Sequence, residues 1–188
     1  MGTKPIINRR LSGLERLCLA ALLAPAMLCA ASPAAAQTQT GQLKVAVLQP
    51  LSFIRVQDLD FGTMIAGTTA GVVRVQPNGT RTTTGGVTLV GNDQQVARFS
   101  GYGSYNQVVL ISVSANTIQL TGPGAPMTVS QFEIGSSPIA PLTTAPLAFR
   151  IGATSGLFTF PLGARLAVGA NQVPGTYSGT FAVTLNYQ

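Results

Sequence analysis

Apolar side chains alternate with polar ones along the last stretch of the chain, residues 175–188, which begins at Gly175. The apolar members of this stretch stand at every second position, and they are Tyr177, Phe181, Val183, Leu185 and Tyr187. Successive side chains of an extended strand point to opposite faces, so the pattern predicts a half-buried β-strand that runs to the chain end. A strand of this quality needs a partner strand, and the identity of that partner is a functional question.

The same two-residue period recurs in short segments from residue 51 onward, separated by glycines and prolines. Sustained helical periodicity is not found after residue 37, whereas Pro77, Asn78 and Gly79 form a typical turn sequence. The predicted strands are residues 51–56, 59–62, 71–75, 81–84, 87–90, 96–99, 107–113, 118–120, 127–134, 147–151 and 166–168, with a proline-rich loop over 136–146. Short strands with frequent turns predict a single immunoglobulin-like antiparallel β-sandwich over residues 51–188.

A separate apolar segment precedes this domain. Within residues 37–50 a polar lead is followed by Leu43, Val45 and Val47, which would share one face of an extended chain. Pro50 then interrupts the pattern, because proline cannot donate a hydrogen bond to a central β-ladder. Residues 42–48 are therefore predicted to form a short separate strand that a hinge joins to the domain.

The first 36 residues have the organisation of a secretory signal peptide. Basic residues come first, an apolar stretch follows, and an Ala-Ala-Ala sequence ends at Ala36. This arrangement predicts cleavage before Gln37 and export to the periplasm, the cell surface or the extracellular space. No stable membrane span is expected after cleavage, because the apolar stretch belongs to the leader.

Export would remove both cysteines, Cys18 and Cys29, so the mature domain is expected to be stabilised by packing without a disulfide. The residues after 36 carry seven basic and four acidic side chains, a net charge of +3. The basic residues are scattered singly along the chain. Nucleic-acid binding is therefore not expected, since it requires a basic stripe or patch.

The side chains needed for catalysis are largely missing. The chain has no histidine, which removes the usual general base and many transition-metal sites. Asp58 and Asp60 form the one close carboxylate pair, and we interpret them as solvated acids beside a turn. Residues 101–104 are glycine-rich without a following helix, so they are expected to form a loop and not a phosphate site. We predict a non-enzymatic protein without catalytic, cofactor-binding or metal-binding residues.

Both ends of the exported chain resemble known proteins. Gly175, at the fourteenth position from the end, and the penultimate Tyr187 are similar to the C-terminal strand of chaperone–usher pilus subunits. Residues 40–47 look like the N-terminal donor segment of the archaic, spore coat U-like pilins, and residues 59–62 resemble their early LxFG-type strand. Residues 59–62, 85–89 and 175–181 also resemble the secreted bacterial family known as domain of unknown function 4402. The chain departs from many pilins in lacking the cysteine pair that staples their sandwich.

The resemblance implies a structural, fimbrial function. In such pilins the sandwich lacks its last strand, and a chaperone or the N-terminal segment of the next subunit fills the gap by β-strand addition. Here Leu43, Val45 and Val47 would be the inserting side chains. The strand that contains Gly175, Tyr177, Phe181, Val183, Leu185 and Tyr187 would pair with the chaperone. The implied partners are other copies or related subunits, a periplasmic chaperone and an outer-membrane usher.

Other interpretations of the same pattern stay open at this point. Residues 43–48 could fold back into their own domain, which would give a monomeric secreted or cell-surface binding module. For such a module, Tyr102 and Tyr105 are the candidate contacts to a carbohydrate or a surface. The alternating last strand is also found in outer-membrane barrels, but the terminal Gln188 and the many polar side chains favour a sandwich.

Overall fold

The computed structural model describes residues 41–135 and 138–188. The contacts of the chain divide it into two units, Met1–Val45 and Ala46–Gln188, and every described strand belongs to the second unit. The described residues contain strands, turns and loops but no helix, and hence no helix that could cross a membrane. The predicted signal peptide, residues 1–36, lies outside the described residues.

Eleven strands form the domain within the described ranges. Their bounds are β1 Ser52–Gln57, β2 Met64–Val75, β3 Arg81–Leu89, β4 Ala97–Tyr102, β5 Val108–Val113, β6 Thr117–Leu120, β7 Met127–Ile134, β8 Ala140–Pro141, β9 Leu147–Arg150, β10 Leu157–Val168 and β11 Val183–Tyr187. They make two antiparallel sheets, as predicted for a β-sandwich. The more specific prediction of immunoglobulin-like connectivity stays a prediction.

The larger sheet has eight strands and is built around β10. The first half of β10 pairs with β4, which in turn pairs with β1. The second half of β10 pairs with β2 on one edge and with β7 on the other. Strand β2 also pairs with β3, and β7 also pairs with β6 and β8. The smaller sheet has three strands in the order β11-β5-β9. The prediction that residues 107–113 form a central strand is confirmed by the position of β5.

Packing between the two sheets forms one apolar core. Val73, Val75, Ile111 and Leu162 are fully or almost fully buried. Phenylalanine rings extend the core, for example Phe99 stacked on Phe160 with ring centroids 5.2 Å apart. Since both cysteines lie outside the described residues, packing and hydrogen bonds hold the described domain together, as the sequence predicted.

The turns also follow the predicted chemistry. Gly79 adopts a φ of +89°, a conformation that glycine tolerates without strain, and its N–H donates to the Gln76 carbonyl at 2.9 Å. This turn joins β2 and β3, which are paired along most of their length. Strand β3 passes without a break through Gly85 and Gly86, so the two strands predicted for residues 81–84 and 87–90 are one element.

The prediction for the chain end was partly wrong. Residues 175–182 form no strand apart from a single bridge between Ser178 and Thr121, and β11 begins only at Val183. The alternation itself is confirmed, because every second side chain from Tyr177 to Tyr187, glycine aside, is at least partly buried. The segment packs on the core while its backbone lacks a strand partner along most of its length.

Further segments differ from the prediction. Residues 59–62 form only a single bridge at Asp60. Residues 41–50 form no strand, because a strand requires a partner for its backbone groups and no described residue is paired with them. Gly101 and Tyr102 belong to β4, so the predicted glycine-rich loop starts only at Gly103.

Most of β10 was missed because Pro161 argues against a central strand. Pro161 is tolerated because β10 pairs only with β4 at that residue.

Substitution of Leu162 by alanine tests the core. Its side chain is 0% exposed, so Leu162→Ala should lower the free energy of unfolding by about 2–5 kcal/mol. Leu157→Ala in the same strand is the control, since that side chain is 59% exposed and its loss should cost roughly 0.5 kcal/mol or less. Chemical denaturation measures both. Equal destabilisation by the two substitutions would contradict this description of the core.

Candidate functional site

The described residues form a groove of about 750 Å³ that is lined by both apolar and polar side chains. It exists because the larger sheet offers more inner surface than the three strands of the smaller sheet cover. Residues 59–66 form one wall and residues 172–181 form the other. We call this depression the edge groove.

Apolar side chains of the larger sheet make the floor of the edge groove. They come from the inner faces of β6, β7 and β10, and they are Ile118, Leu120, Met127, Val129, Phe132, Leu166 and Val168. Most of them are less than a tenth exposed, so the walls stand close over the floor. The floor has no charged side chain, and a ligand that entered between the walls would meet hydrocarbon surface.

The first wall, residues 59–66, presents an unpaired backbone edge. Asp60 forms a bridge with Gln95, and its carboxylate accepts a hydrogen bond from the Gly62 N–H at 2.8 Å. Residues 64–66 pair with β3 on one edge only, because β10 pairs with β2 from Gly71 to Val75 and stops short of them. Within the described residues the other edge of this segment is free for a further strand.

The second wall, residues 172–181, has even fewer backbone partners. Ser178 and Thr121 exchange two backbone hydrogen bonds of 2.8 and 2.9 Å. In the described parts of the chain, residues 179–181 make no backbone hydrogen bond. This wall runs directly into β11, which pairs with β5 on one edge and is the outermost strand of the smaller sheet. A strand added here would extend that sheet over the groove floor.

The Tyr177 hydroxyl fixes the loop at the start of the second wall. It accepts hydrogen bonds from the Gly124 N–H at 3.0 Å and the Gln172 side-chain amide at 2.8 Å, and it donates to the Val173 carbonyl at 2.8 Å. Gly175, at a positive φ of 144°, packs against Pro123, where a Cβ atom would clash. Tyr177 and Gly175 are therefore needed for the shape of this wall.

A buried arginine braces the first wall. The Arg81 side chain is only 3% exposed, and it donates hydrogen bonds to the carbonyls of Phe61, Thr63, Val90 and Gly91. Asp93 completes the brace from the other side, because its carboxylate accepts from the Thr63 hydroxyl at 2.6 Å and the Thr63 N–H at 3.0 Å. Gly62 is required where this network meets the wall, since a Cβ there would lie 2.3 Å from the guanidinium.

The predicted residues of the C-terminal strand occupy two different places. Gly175, Tyr177 and Phe181 line the edge groove, and the Phe181 ring lies 5.4 Å from the ring of Phe132 on the floor. Val183, Leu185 and Tyr187 belong to β11 and turn toward the core. The structure thus brings the first part of the predicted strand to the groove and uses the second part as an edge strand.

The predicted donor residues are exposed to solvent. Leu43, Val45 and Val47 are 102%, 89% and 90% exposed, although all three are large and apolar. Their side chains thus leave apolar surface in contact with water along one face of the segment. These residues stay the predicted donor side chains.

Sequence reasoning missed the residues that shape the groove walls. Arg81 and Asp93 gave no signal, because a single arginine after a turn and a single aspartate in a loop are common on exposed surfaces. The sequence did indicate residues 59–62, where a glycine follows two apolar residues. The structure gives the reason for this pattern: Phe61 enters the core and Gly62 admits the guanidinium.

The other candidate residues of the sequence lie apart from the groove floor. Asp58 pairs with Arg55 at the surface, and the described residues contain no cluster of three histidine, cysteine or acidic side chains that could hold a metal ion. Tyr102 and Tyr105 are 37% and 52% exposed, so both can be contacted by a ligand.

Comparison with known proteins gives one match. A protein-family model described as domain of unknown function (DUF4402) matches residues 51–187. The match covers β1 to β11 and both groove walls, and it begins directly after Pro50, so that the exposed residues Leu43, Val45 and Val47 precede it. No curated protein and no solved structure matches the chain.

Replacement of Asp93 by asparagine tests the brace. The hydrogen bonds from Thr63 hold the pKa of Asp93 below its usual value of 3.8, and the Arg81 charge acts in the same direction. A lowered pKa stabilises the fold above 3.8, and this contribution is lost as the pH falls through the lowered value.

Asp93→Asn should therefore lower the melting temperature at neutral pH and make it less sensitive to acid than in the parent protein. Asp58→Asn is the control, because the Asp58 side chain is 70% exposed and its ion pair with Arg55 contributes little. Melting curves recorded from neutral pH to below 3.8 make the comparison. Parallel pH profiles for the parent and Asp93→Asn would show that the brace is not formed.

Proposed function

The chain belongs to the family described as domain of unknown function (DUF4402), and from this premise we propose that it is an exported, non-enzymatic structural subunit of a pilin-like surface fibre. In this proposal, residues 42–48 of one copy insert as a β-strand into the edge groove of the next copy. We call residues 42–48 the donor ribbon. One observation carries the proposal: the described chain has an exposed alternating apolar ribbon and a groove with an apolar floor flanked by free strand edges.

The backbone of the groove suits an added strand. Among the described residues, residues 64–66 on one wall and residues 179–181 on the other have no backbone partners for their N–H and C=O groups on the groove side. A strand between the walls could bond to either edge, which is how β-strand addition gains affinity. Small molecules do not satisfy such parallel rows of backbone groups, so an extended peptide is the occupant that fits best.

The side chains of the donor ribbon suit the floor. Leu43, Val45 and Val47 would all point to one face of an inserted strand, and the floor opposite is apolar. Full burial contributes roughly 1.5–3 kcal/mol for each such side chain, before the cost of ordering the ribbon. The walls stand close over the floor, so insertion has to part them, and residues 179–181 have the fewest hydrogen bonds to break.

The charged residues of the donor ribbon and of the groove lining have opposite signs. Lys44 is the one charged residue of the donor ribbon, and on a strand it points away from the floor. Asp60 and Asp93 belong to the lining of the groove, with Asp93 49% exposed. A lysine on the outer face of the inserted ribbon could approach these carboxylates, which favours a second copy of this chain as the occupant.

The geometry of donation determines the assembly. A ribbon and a groove are two different surfaces of one chain, so the contact is head-to-tail and does not close on itself. Repetition of such a contact gives a linear fibre. Export through a signal peptide at residues 1–36, a periplasmic chaperone that shields the groove during transit, and an outer-membrane usher belong to the same proposal.

The alternative is a monomeric secreted or cell-surface module whose ribbon fills its own groove. The exposure of Leu43, Val45 and Val47 favours donation over this alternative, because a filled groove would bury them. Tyr102 and Tyr105 would be the ligand contacts of such a module. The two possibilities differ in size: a fibre subunit forms larger species as its concentration rises, whereas a self-filled module stays monomeric.

Deletion of residues 37–48 should abolish assembly and leave a domain that folds alone or with a chaperone. The domain loses its donor strand but keeps every strand of both sheets. Size-exclusion chromatography with light scattering, over a range of concentrations, measures the change. The proposal fails if the shortened protein has the same assembly state as the parent.

The effect of a charged substitution on assembly should depend on which face of the donor ribbon carries it. Val45→Asp would place an unpaired carboxylate against the apolar floor and should weaken the association by several kcal/mol. Ala46→Asp is the matched control, since residue 46 points to the opposite face and its carboxylate would stay in water. Dissociation of the assembly in denaturant compares them. Equal loss, or no loss with Val45→Asp, would contradict insertion with this face.

A further inference from the structure

The hydroxyl group of Tyr187 joins three separated parts of the domain. It donates a hydrogen bond to the Gln49 carbonyl at 2.8 Å and accepts one from the Ser104 N–H at 2.7 Å. The Ser104 hydroxyl in turn accepts a hydrogen bond from the Gln49 N–H at 2.6 Å. Both backbone groups of Gln49 are thus tied to the domain, one by each side chain.

The position of Gln49 gives this arrangement its importance. Gln49 lies between the donor ribbon and Pro50, and β1 starts at Ser52. A residue before proline is restricted to extended conformations, so Pro50 already limits the backbone of Gln49. The two hydrogen bonds add fixed contacts to β11 and to the loop after β4. We call Gln49, Ser104 and Tyr187 the ribbon anchor.

The space around the anchor is closely fitted. A Cβ atom on Gly103 would lie 2.7 Å from the Tyr187 hydroxyl, 2.7 Å from Ile151 and 3.1 Å from Leu51. Only glycine allows the tyrosine to reach across to Gln49 at this point. Gly103, Ser104 and Tyr187 therefore combine to hold both backbone groups of Gln49.

We propose that Tyr187 and Ser104 are positioning residues for strand donation, which fix the point where the donor ribbon leaves the domain. This inference rests on the proposed function. It concerns the donating copy, whereas the shape of the groove concerns the accepting copy. A ribbon with a fixed origin has fewer conformations to lose when it inserts into the next copy, so it donates more favourably.

The second tyrosine of the segment provides a matched comparison. The Tyr177 hydroxyl is hydrogen-bonded as well, but its three bonds hold the loop of the second groove wall. Loss of the Tyr187 hydroxyl should impair the protein as a donor, and loss of the Tyr177 hydroxyl should impair it as an acceptor. A general loss of stability would impair both roles together.

The experiment separates the two roles with full-length chains. Val45→Asp chains, which are poor donors, are immobilised as acceptors, and dilute parent, Tyr187→Phe, Ser104→Ala or Tyr177→Phe protein is passed over them. In the reverse arrangement the parent protein is immobilised as donor, and Val45→Asp chains that also carry Tyr187→Phe, Ser104→Ala or Tyr177→Phe are passed over it. Surface plasmon resonance gives the binding constants, and melting curves confirm that each variant is folded.

We expect Tyr187→Phe and Ser104→Ala to bind more weakly as donors, by about 2- to 12-fold for each hydrogen bond lost, with unchanged binding as acceptors. Tyr177→Phe should show the reverse. Parent-like donation by both anchor variants, or an equal loss in both roles, would overturn the anchor. A different result would overturn strand donation itself. In that case the parent protein would not bind immobilised Val45→Asp chains, and Val45→Asp chains would not bind the immobilised parent protein.

Discussion

The unequal size of the two sheets is the constraint from which the site follows. An eight-stranded sheet presents an apolar inner face, and a three-stranded sheet covers only part of it. Two irregular segments, residues 59–66 and 172–181, close over the remainder without completing a ladder. Buried apolar surface stabilises the fold, whereas residues 179–181 make no backbone hydrogen bond in the described part of the chain. An added strand could pair with these backbone groups.

Single polar side chains hold the irregular segments where a disulfide is absent. Arg81 binds four carbonyls from two loops, Tyr177 ties its own loop together, and Tyr187 joins the chain end to Gln49. Gly62 beside Arg81 and Gly103 beside Tyr187 make room for these side chains, because a Cβ atom at either glycine would clash with them. Gly62, which belongs to the family-like segment 59–62, thus has a packing function in the structure.

The proposed strand donation would connect these features. In that proposal the exposed donor ribbon would enter the groove, and the hydrogen-bonded walls would give the groove its shape. Arg81 and Tyr177 would then act in the accepting copy, and Tyr187 would act in the donating copy. A chain that carries both the ribbon and the groove can form an open series of identical contacts.

The sequence by itself determined the all-β class, most strand positions and the alternation of the last segment, because these depend on the local two-residue period. It also indicated residues 42–48 as a strand in need of a partner. Only the tertiary structure decided that the last strand begins at Val183, that β10 continues through Pro161, and that Arg81 and Tyr187 reach distant backbone groups. Those outcomes depend on which edges meet after folding, and a local pattern carries no information on contacts between residues far apart in the chain.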